Sequence, residues 1–392
     1  MRRDYYNQLK TEIENLKEKG TYKYFKYNTG SLGAAINIEN YGNPIVLCSN
    51  NYLGFANKKE IVDAAHASLD RYGAGTSSVR FICGTYDIHR ELEEKTAEFL
   101  NMEAALTYTS CWAANTAAIP ALLTDGDTVI SDELNHASII EGCRAVSRGV
   151  KKAVYKHSDM KDLEEKLMEA KESGAVLVVT DGVFSMEGDI AKLPEIIALC
   201  KKYQAILMLD DSHATGVMGK TGRGTMEHFG IKEGVDIISG TYGKALGGAG
   251  GGFIAGRREI CAILAQRSRP HLFSNGLPPV LCAIALASVK YLENNPDIVK
   301  SLSEKTLYLR NKLLEAGLNP LEGDSAIIPV IVGDTAKAIS MAEEMIKKGV
   351  YAIGFGFPVV PEGTARIRLQ VSNALSYEDL DKAASIIKEI FH

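Results

Sequence analysis

The apolar positions of the chain change period along its length. Over residues 4–19 they recur at helical spacing and stop at Gly20, which predicts an amphipathic helix. Ile45-Val46-Leu47-Cys48 is a short apolar run, predicted to be a strand that enters Asn50-Asn51-Tyr52-Leu53-Gly54. Helical spacing returns over 58–71 and 87–100, on either side of a glycine-containing loop at 73–85. Strand-like runs follow at 104–108, 127–131, 151–155, 175–180, 205–210, 235–238 and 251–255, most of them separated by patterns long enough for helices. Val176-Leu177-Val178-Val179 and Ile206-Leu207-Met208-Leu209 are continuously apolar, as parallel strands covered on both faces are. This alternation predicts an α/β fold with a mainly parallel sheet, whose chemistry sits at the carboxyl ends of the strands. The polar clusters at 181–186 and 210–213 fall there. Beyond about residue 285 the pattern changes to long helices over 280–293, 298–316, 335–348 and 376–391, with strands near 326–331 and 364–370. The expected division is an N-terminal helix and strand segment at 1–48, a large α/β domain at 49–285 and a smaller C-terminal α+β domain at 286–392.

Composition narrows the class only a little. Of the 392 residues 46% are hydrophobic and 24% charged, an ordinary globular balance that excludes disordered and low-complexity chains. The net charge is −5, so the basic footprint of a nucleic-acid binder is missing. The longest apolar stretch, near 278–289, falls short of the ~18 residues of a membrane span and predicts a buried helix instead. Arg2 and Arg3 are followed by Glu12, Glu14 and Glu18 with no apolar run, which is not a targeting pattern. The seven cysteines are scattered, odd in number and contain no CxxC, so neither a disulfide framework nor a zinc site is expected. A reduced, cytoplasmic protein is the reading.

Candidate chemistry begins at Gly240-Thr241-Tyr242-Gly243-Lys244-Ala245-Leu246-Gly247-Gly248. The Walker pattern fails on both sides, since Ile238 replaces the first glycine and Ala245 the magnesium-binding hydroxyl. Two explanations stay open: a tight turn with a solvated lysine, or an amine that forms a Schiff base with a flat cofactor. Asp210-Asp211-Ser212-His213 bears on the choice. An apolar run delivers Asp210 to a strand end, where a buried carboxylate needs a partner. A pyridinium nitrogen is one, and pyridoxal phosphate requires an acid there to act as an electron sink. His213 is then within range of the ring hydroxyl. A metal bound by Asp210, Asp211 and His213 is the rival, without a further ligand cluster to support it; strand-end polar residues without a role are a third explanation. His136 opens a helix after a strand, as a cap or as an imidazole stacked on the cofactor ring. Thr109-Ser110-Cys111-Trp112 opens another, where backbone amides form a phosphate site. Arg366 and Arg368 share one strand face and suit either a surface ion-pair strand or a bidentate grip on an amino-acid carboxylate. The arginine-rich run at 266–270 is a solvated helix end or a contact for a phosphorylated ligand. No GxSxG and no HExxH occurs, so serine-hydrolase and zinc-protease chemistry lack support.

The set formed by residues 50–54, Asp181-Gly182-Val183-Phe184-Ser185-Met186, residues 210–213 and the Lys244 segment resembles the α-oxoamine synthases, in family order and over essentially the whole chain. These are fold-type-I pyridoxal-phosphate transferases that condense an amino acid with an acyl-CoA. Residues 78–85, 267–275 and 357–361 are most similar to the branch that joins glycine and acetyl-CoA, a step of threonine breakdown. The biotin-pathway branch, 8-amino-7-oxononanoate synthase, is the runner-up. Trp112 departs mildly from the phenylalanine expected there, with an aromatic side chain kept. The resemblance implies that Lys244 bonds covalently to pyridoxal 5'-phosphate and acts as the base, that Asp210 pairs with the pyridine nitrogen, and that His213 and Ser185 contact the ring oxygen. It implies His136 stacked on the ring, and Cys111, Trp112 and Thr241 on the phosphate, joined by Ser274 and Asn275 from the partner subunit of a homodimer. Arg368, preferred to Arg366 by motif position, and Asn50 would hold the substrate carboxylate. Neither nucleic acid nor membrane is an expected partner. Two other classes compete with this reading, a CoA-independent pyridoxal-phosphate enzyme and a non-catalytic regulator on the same fold.

Overall fold

The computed structural model describes residues 2–392. In chain order the strands are β1 (Ile45–Val46), β2 (Ala104–Tyr108), β3 (Thr128–Asp132), β4 (Lys151–Tyr155), β5 (Val176–Asp181), β6 (Ile206–Asp210), β7 (Ile237–Thr241), β8 (Gly252–Gly256), β9 (Ile327–Gly333), β10 (Val350–Tyr351), β11 (Ile353–Phe355) and β12 (Ala365–Gln370). The chain divides into two compact units. The larger takes residues 50–185 and 189–302, the smaller residues 1–49, 186–188 and 303–392.

The larger unit is built on a seven-stranded sheet in the order β2-β8-β7-β6-β5-β3-β4. β7, β6, β5, β3 and β4 run parallel, and β8 pairs antiparallel with both β2 and β7. The two continuous apolar runs become β5 and β6, and their interior residues Leu177, Val178, Val179, Leu207, Met208 and Leu209 are all buried. Leu177, Val179 and Met208 share one core cluster with Ala114, Ala117, Ala118 and Ile119 of the helix Cys111–Leu122. A strand covered on both faces has no polar side, so a charged residue appears only where the strand ends. β5 and β6 both end in aspartate, and Asp181 pairs directly with Asp210 across the ladder. The architecture is α/β with a mostly parallel central sheet, as the apolar pattern predicts.

The smaller unit holds the antiparallel sheet β11-β12-β9 and the parallel pair β1-β10. That pairing places the N-terminal segment, expected as a piece of its own at 1–48, in the same unit as the C-terminal residues. The expected boundary at 285/286 falls inside the helix Pro279–Asn294, and the units part at 302/303 instead. The reason is packing: this helix lies against the helices Lys59–Tyr72 and Asp87–Leu100 of the larger unit and buries Cys282, Ala285, Leu286, Val289 and Leu292.

Candidate active site

At the carboxyl ends of the strands of the larger unit lies a cavity of about 190 Å³. Its wall includes Lys244, Asp210, His213, His136, Asp181, Ser185, Cys111, Trp112 and Thr241. The sequence spreads these over more than 130 positions; the parallel strands end side by side and bring them together.

Asp210 is 4% exposed. Oδ1 accepts the Ser212 backbone N–H at 2.9 Å, and Oδ2 accepts Asn115 Nδ2–H at 2.5 Å. Asn115, itself wholly buried, also donates to Ser138 Oγ at 2.9 Å, so the helix Cys111–Leu122 fixes the plane of the carboxylate. Asp181 accepts the backbone N–H of His136 at 2.9 Å. Burial, and then the neighbouring Asp210, hold the Asp181 carboxyl well above its ordinary value. Asn135 braces this corner: its Oδ1 accepts the Asp181 N–H at 2.8 Å and its Nδ2 donates to Val179 O at 2.8 Å. His136 caps the helix Ala137–Arg144, with Nδ1 2.7 Å from Ser138 Oγ and its ring edge-on to Trp112 at 6.0 Å between centroids. Burial pushes its imidazole below the ordinary value; Asp210 acts against that shift and Lys244 with it. His213 Nδ1 lies 2.8 Å from the hydroxyl of the fully buried Tyr52.

The corner where the helix Cys111–Leu122 starts depends on a close approach of backbone. The N-cap Ser110 accepts the Ala113 N–H at 3.1 Å, and the helix begins at Cys111, hard against β8. A Cβ on Gly252 would lie 2.3 Å from Cys111 N and 2.4 Å from Ser110 C, so only glycine allows the helix N-terminus to sit there. Thr241 Oγ1 accepts the Gly243 N–H at 3.0 Å and donates to Gly251 O at 3.0 Å, which shapes the turn that carries Lys244.

The donor set fits pyridoxal phosphate. A primary amine and a buried acid face one cavity, two imidazoles line it, and a twelve-residue helix points its N-terminus into it. The metal alternative lacks convergence, because Asp211 turns away to Thr225, accepting its Oγ1–H at 2.6 Å, and to Thr215 at 3.2 Å. Among the described residues no group of three or more His, Cys, Asp or Glu is placed to hold a metal ion.

Other expected residues lie outside this wall. Asn50 opens the larger unit, beside the buried Asn51 and Tyr52. Ser274 and Asn275 follow the helix Arg269–Phe273, and Asn275 pairs with Val79. In the smaller unit, Arg366 and Arg368 on β12 are both buried, which removes the surface-strand explanation. Arg366 is committed to Glu187 at 2.9 Å, Met186 O at 3.0 Å and Thr364 O at 3.0 Å. Arg368 donates to Gln370 Oε1 at 3.0 Å and lies 4.5 Å from the centre of the Phe355 ring.

The sequence assigned no individual role to Asn115, Asn135, Tyr52 or Asp181, although Tyr52 and Asp181 lie within the motifs it singled out. Two of them left a signal: Asn115 is an amide in a helix whose only other polar side chain besides the cysteine and tryptophan at its start is Thr116, and Asp181 ends an apolar run just as Asp210 does.

Among known proteins, the sequence model of the class I and II aminotransferases matches residues 43–387. The chain is 46% identical to the mitochondrial 2-amino-3-ketobutyrate coenzyme A ligase of Bos taurus, over 97% of this chain and 91% of that one. It is 42% identical to the 8-amino-7-oxononanoate synthase of Thermosipho melanesiensis, over 98% and 97%. Its fold superposes on a serine palmitoyltransferase variant from S. paucimobilis with a bound PLP–myriocin aldimine, with a TM-score of 0.93 and 26% identity over 99% and 97% of the two chains. The chain belongs to the α-oxoamine synthases, within the class I and II aminotransferase family of pyridoxal-phosphate-dependent enzymes.

Proposed function

We propose that the chain is a glycine C-acetyltransferase, which joins glycine to acetyl-CoA and releases 2-amino-3-oxobutanoate and CoA. The reaction is reversible and completes threonine breakdown to glycine. The observation that carries this reading is the convergence of Lys244, Asp210, His136 and His213 on one cavity. The choice of glycine and acetyl-CoA is supported by relatives named 2-amino-3-ketobutyrate coenzyme A ligase, 44–46% identical over 97–100% of this chain.

Lys244 is the residue to which pyridoxal phosphate attaches. Asp210, oriented by its hydrogen bonds from Asn115 and Ser212, would keep a proton on the pyridine nitrogen. His136, which lines the same cavity, would stack on the ring, and His213 and Ser185 would contact its oxygen. The amides of Cys111 and Trp112, with Thr241, would hold the phosphate, and Ser274 and Asn275 would reach it from the second subunit of a homodimer. When bound, the cofactor supplies a sink for the electron pair left by a broken Cα–H bond. By the family resemblance, Arg368 and Asn50 would hold the glycine carboxylate, the guanidinium through a fork of two parallel hydrogen bonds. Arg366 is spent on its ion pair with Glu187, which supports the choice of Arg368. Lys244 Nζ takes the α-proton as general base. The glycine Cα then forms a bond to the acetyl carbonyl carbon, the thioester C–S bond breaks, and CoA leaves as the thiolate, whose protonation to the thiol balances the proton taken by Lys244. The seven free cysteines support a reduced, cytoplasmic setting, and no helix among the described residues is long and apolar enough to cross a membrane.

A second reading is 8-amino-7-oxononanoate synthase, favoured by the 42% identity to the Thermosipho protein. Free-thiol release from a panel of acyl-CoAs separates them. Strong release with acetyl-CoA and glycine is the expected result. Release mainly from pimeloyl-CoA with alanine would move the chain to the second reading, and none at all would remove both.

A further inference from the structure

One half-buried cluster takes no part in the chemistry above. His157 follows β4, and each of its ring nitrogens faces a carboxylate: Nδ1 is 3.0 Å from Asp132 Oδ1, and Nε2 is 2.9 Å from Asp189 Oδ2. Only the imidazolium donates from both nitrogens at once. Burial alone would push the ring down, but the bonds to Asp132 and Asp189 outweigh it and raise it to about 10. The ring also packs edge-on against Phe184, with centroids 4.4 Å apart at 82°.

The two carboxylates root two different segments of the cavity wall. Asp132 ends β3; its Oδ1 accepts the Leu134 N–H at 2.9 Å and its Oδ2 the Ser158 N–H at 3.1 Å. Asp132 thus fixes the turn that leads directly to His136. The neighbouring Glu133 accepts the His157 backbone N–H at 2.9 Å, a second tie between the same two segments. Asp189 closes the loop that leaves β5. Its carbonyl accepts the Phe184 N–H at 3.0 Å, Val183 pairs with Ile190, and Ala191 N–H reaches Gly182 O at 2.9 Å. Ser185, which lines the cavity, lies within this loop.

We infer that His157 is a positioning residue: a cationic cross-link that holds the His136 turn and the Ser185 loop in register at the rim of the cavity. It is not among the residues that line the cavity and acts through Asp132 and Asp189. The inference rests on the reading of this cavity as the cofactor site.

The test is His157→Gln, made in the full chain and loaded with pyridoxal phosphate. An amide keeps one of the two bonds and carries no charge. Displacement of both segments by about 1 Å predicts a fall in kcat of about 10- to 100-fold, with KM for acetyl-CoA held within about twofold. The absorption band of the bound cofactor should shift, and the Phe184 amide should exchange its hydrogen faster. Asp189→Asn, milder because Asp189 is part-exposed, should reproduce the effect in smaller measure, and the double variant should be no worse than His157→Gln alone. A lowered Tm with kcat, band position and Phe184 exchange unchanged would reduce His157 to a stabilising ion pair and overturn the inference. Absence of thiol release from the unaltered enzyme would count against the proposed reaction, and the exchange rate and the band would still decide the role of His157.

Discussion

Gly252→Ala tests the proposal that the N-terminus of the helix Cys111–Leu122 binds the cofactor phosphate. The added methyl would meet three backbone atoms, Cys111 N at 2.3 Å, Ser110 C at 2.4 Å and Cys111 Cα at 2.6 Å. No side-chain rotation relieves contacts with backbone. An ordinary contact begins near 3.4 Å, so the elements must separate by about 1.1 Å at the first of these. β8 cannot give way, because Gly252 is paired on both sides, with Tyr108 of β2 and Thr241 of β7. The helix Cys111–Leu122 therefore moves, and its N-terminus is the part that faces the cavity. Overpacking of this kind costs about 1–3 kcal/mol of stability. A helix terminus contributes up to ~2 kcal/mol to an anion beside it and its influence fades within a turn, so pyridoxal phosphate should bind about 10- to 30-fold more weakly. The assay is titration of the apo-protein with pyridoxal phosphate, followed by absorbance, with thermal melting alongside. Gly250→Ala is the control: two residues away, its Cβ meets only Leu281 Cδ1 at 3.5 Å. If Gly252→Ala binds the cofactor as tightly as Gly250→Ala does, the helix N-terminus is not the phosphate site.

Three further outcomes follow from the same geometry. Tyr52→Phe removes the hydroxyl 2.8 Å from His213 Nδ1, a bond worth about 1 kcal/mol, and should lower kcat about 5- to 10-fold; an unchanged kcat would show that this bond does not orient His213. Arg368→Ala should raise KM for glycine about 10- to 100-fold through loss of a charge-assisted hydrogen bond, whereas Arg366→Ala, which breaks the buried pair with Glu187, should lower Tm with little change in that KM. If the two exchange these phenotypes, Arg366 is the carboxylate clamp. The elevated proton affinity of His157 stabilises the fold fully below its ordinary value of 6.5, and the contribution is lost as pH rises through about 10. The difference in unfolding free energy between the wild type and His157→Gln should shrink by a few kcal/mol from pH 6 to 10, since each tenfold gain in proton affinity on folding is worth about 1.4 kcal/mol, and a flat difference would contradict the cross-link.

Much of this architecture is legible in the pattern of apolar positions. The runs at 175–180 and 205–210 are buried parallel strands, displaced from β5 and β6 by a single residue at most, because continuous apolar sequence has few other ways to satisfy its backbone. The same runs locate the site, since each must end where a charge becomes tolerable, at Asp181 and Asp210. What stays hidden depends on contacts between distant residues. β10 and β11 are two and three residues long, too short to show any period. The helix Pro279–Asn294 reads as the start of a new domain until it is seen against the helices Lys59–Tyr72 and Asp87–Leu100. The bracing of Asp210 by Asn115, of His213 by Tyr52 and of His157 by two aspartates joins residues 95, 161 and more than 20 positions apart. Side-chain periodicity reports which face is buried, and it carries no information about which polar group meets which.

The central claim is that Lys244 Nζ moves the α-proton of glycine in this cavity. It is tested by exchange of the glycine α-hydrogens in deuterated water, followed by NMR, with the pyridoxal-phosphate-loaded protein and no acyl-CoA present. The wild type should exchange one α-hydrogen repeatedly, and Lys244→Ala, loaded with the same cofactor, should slow that exchange by about a hundredfold or more, the range of a lost general base. Exchange in Lys244→Ala at the wild-type rate would contradict the account, because another group would then be the base.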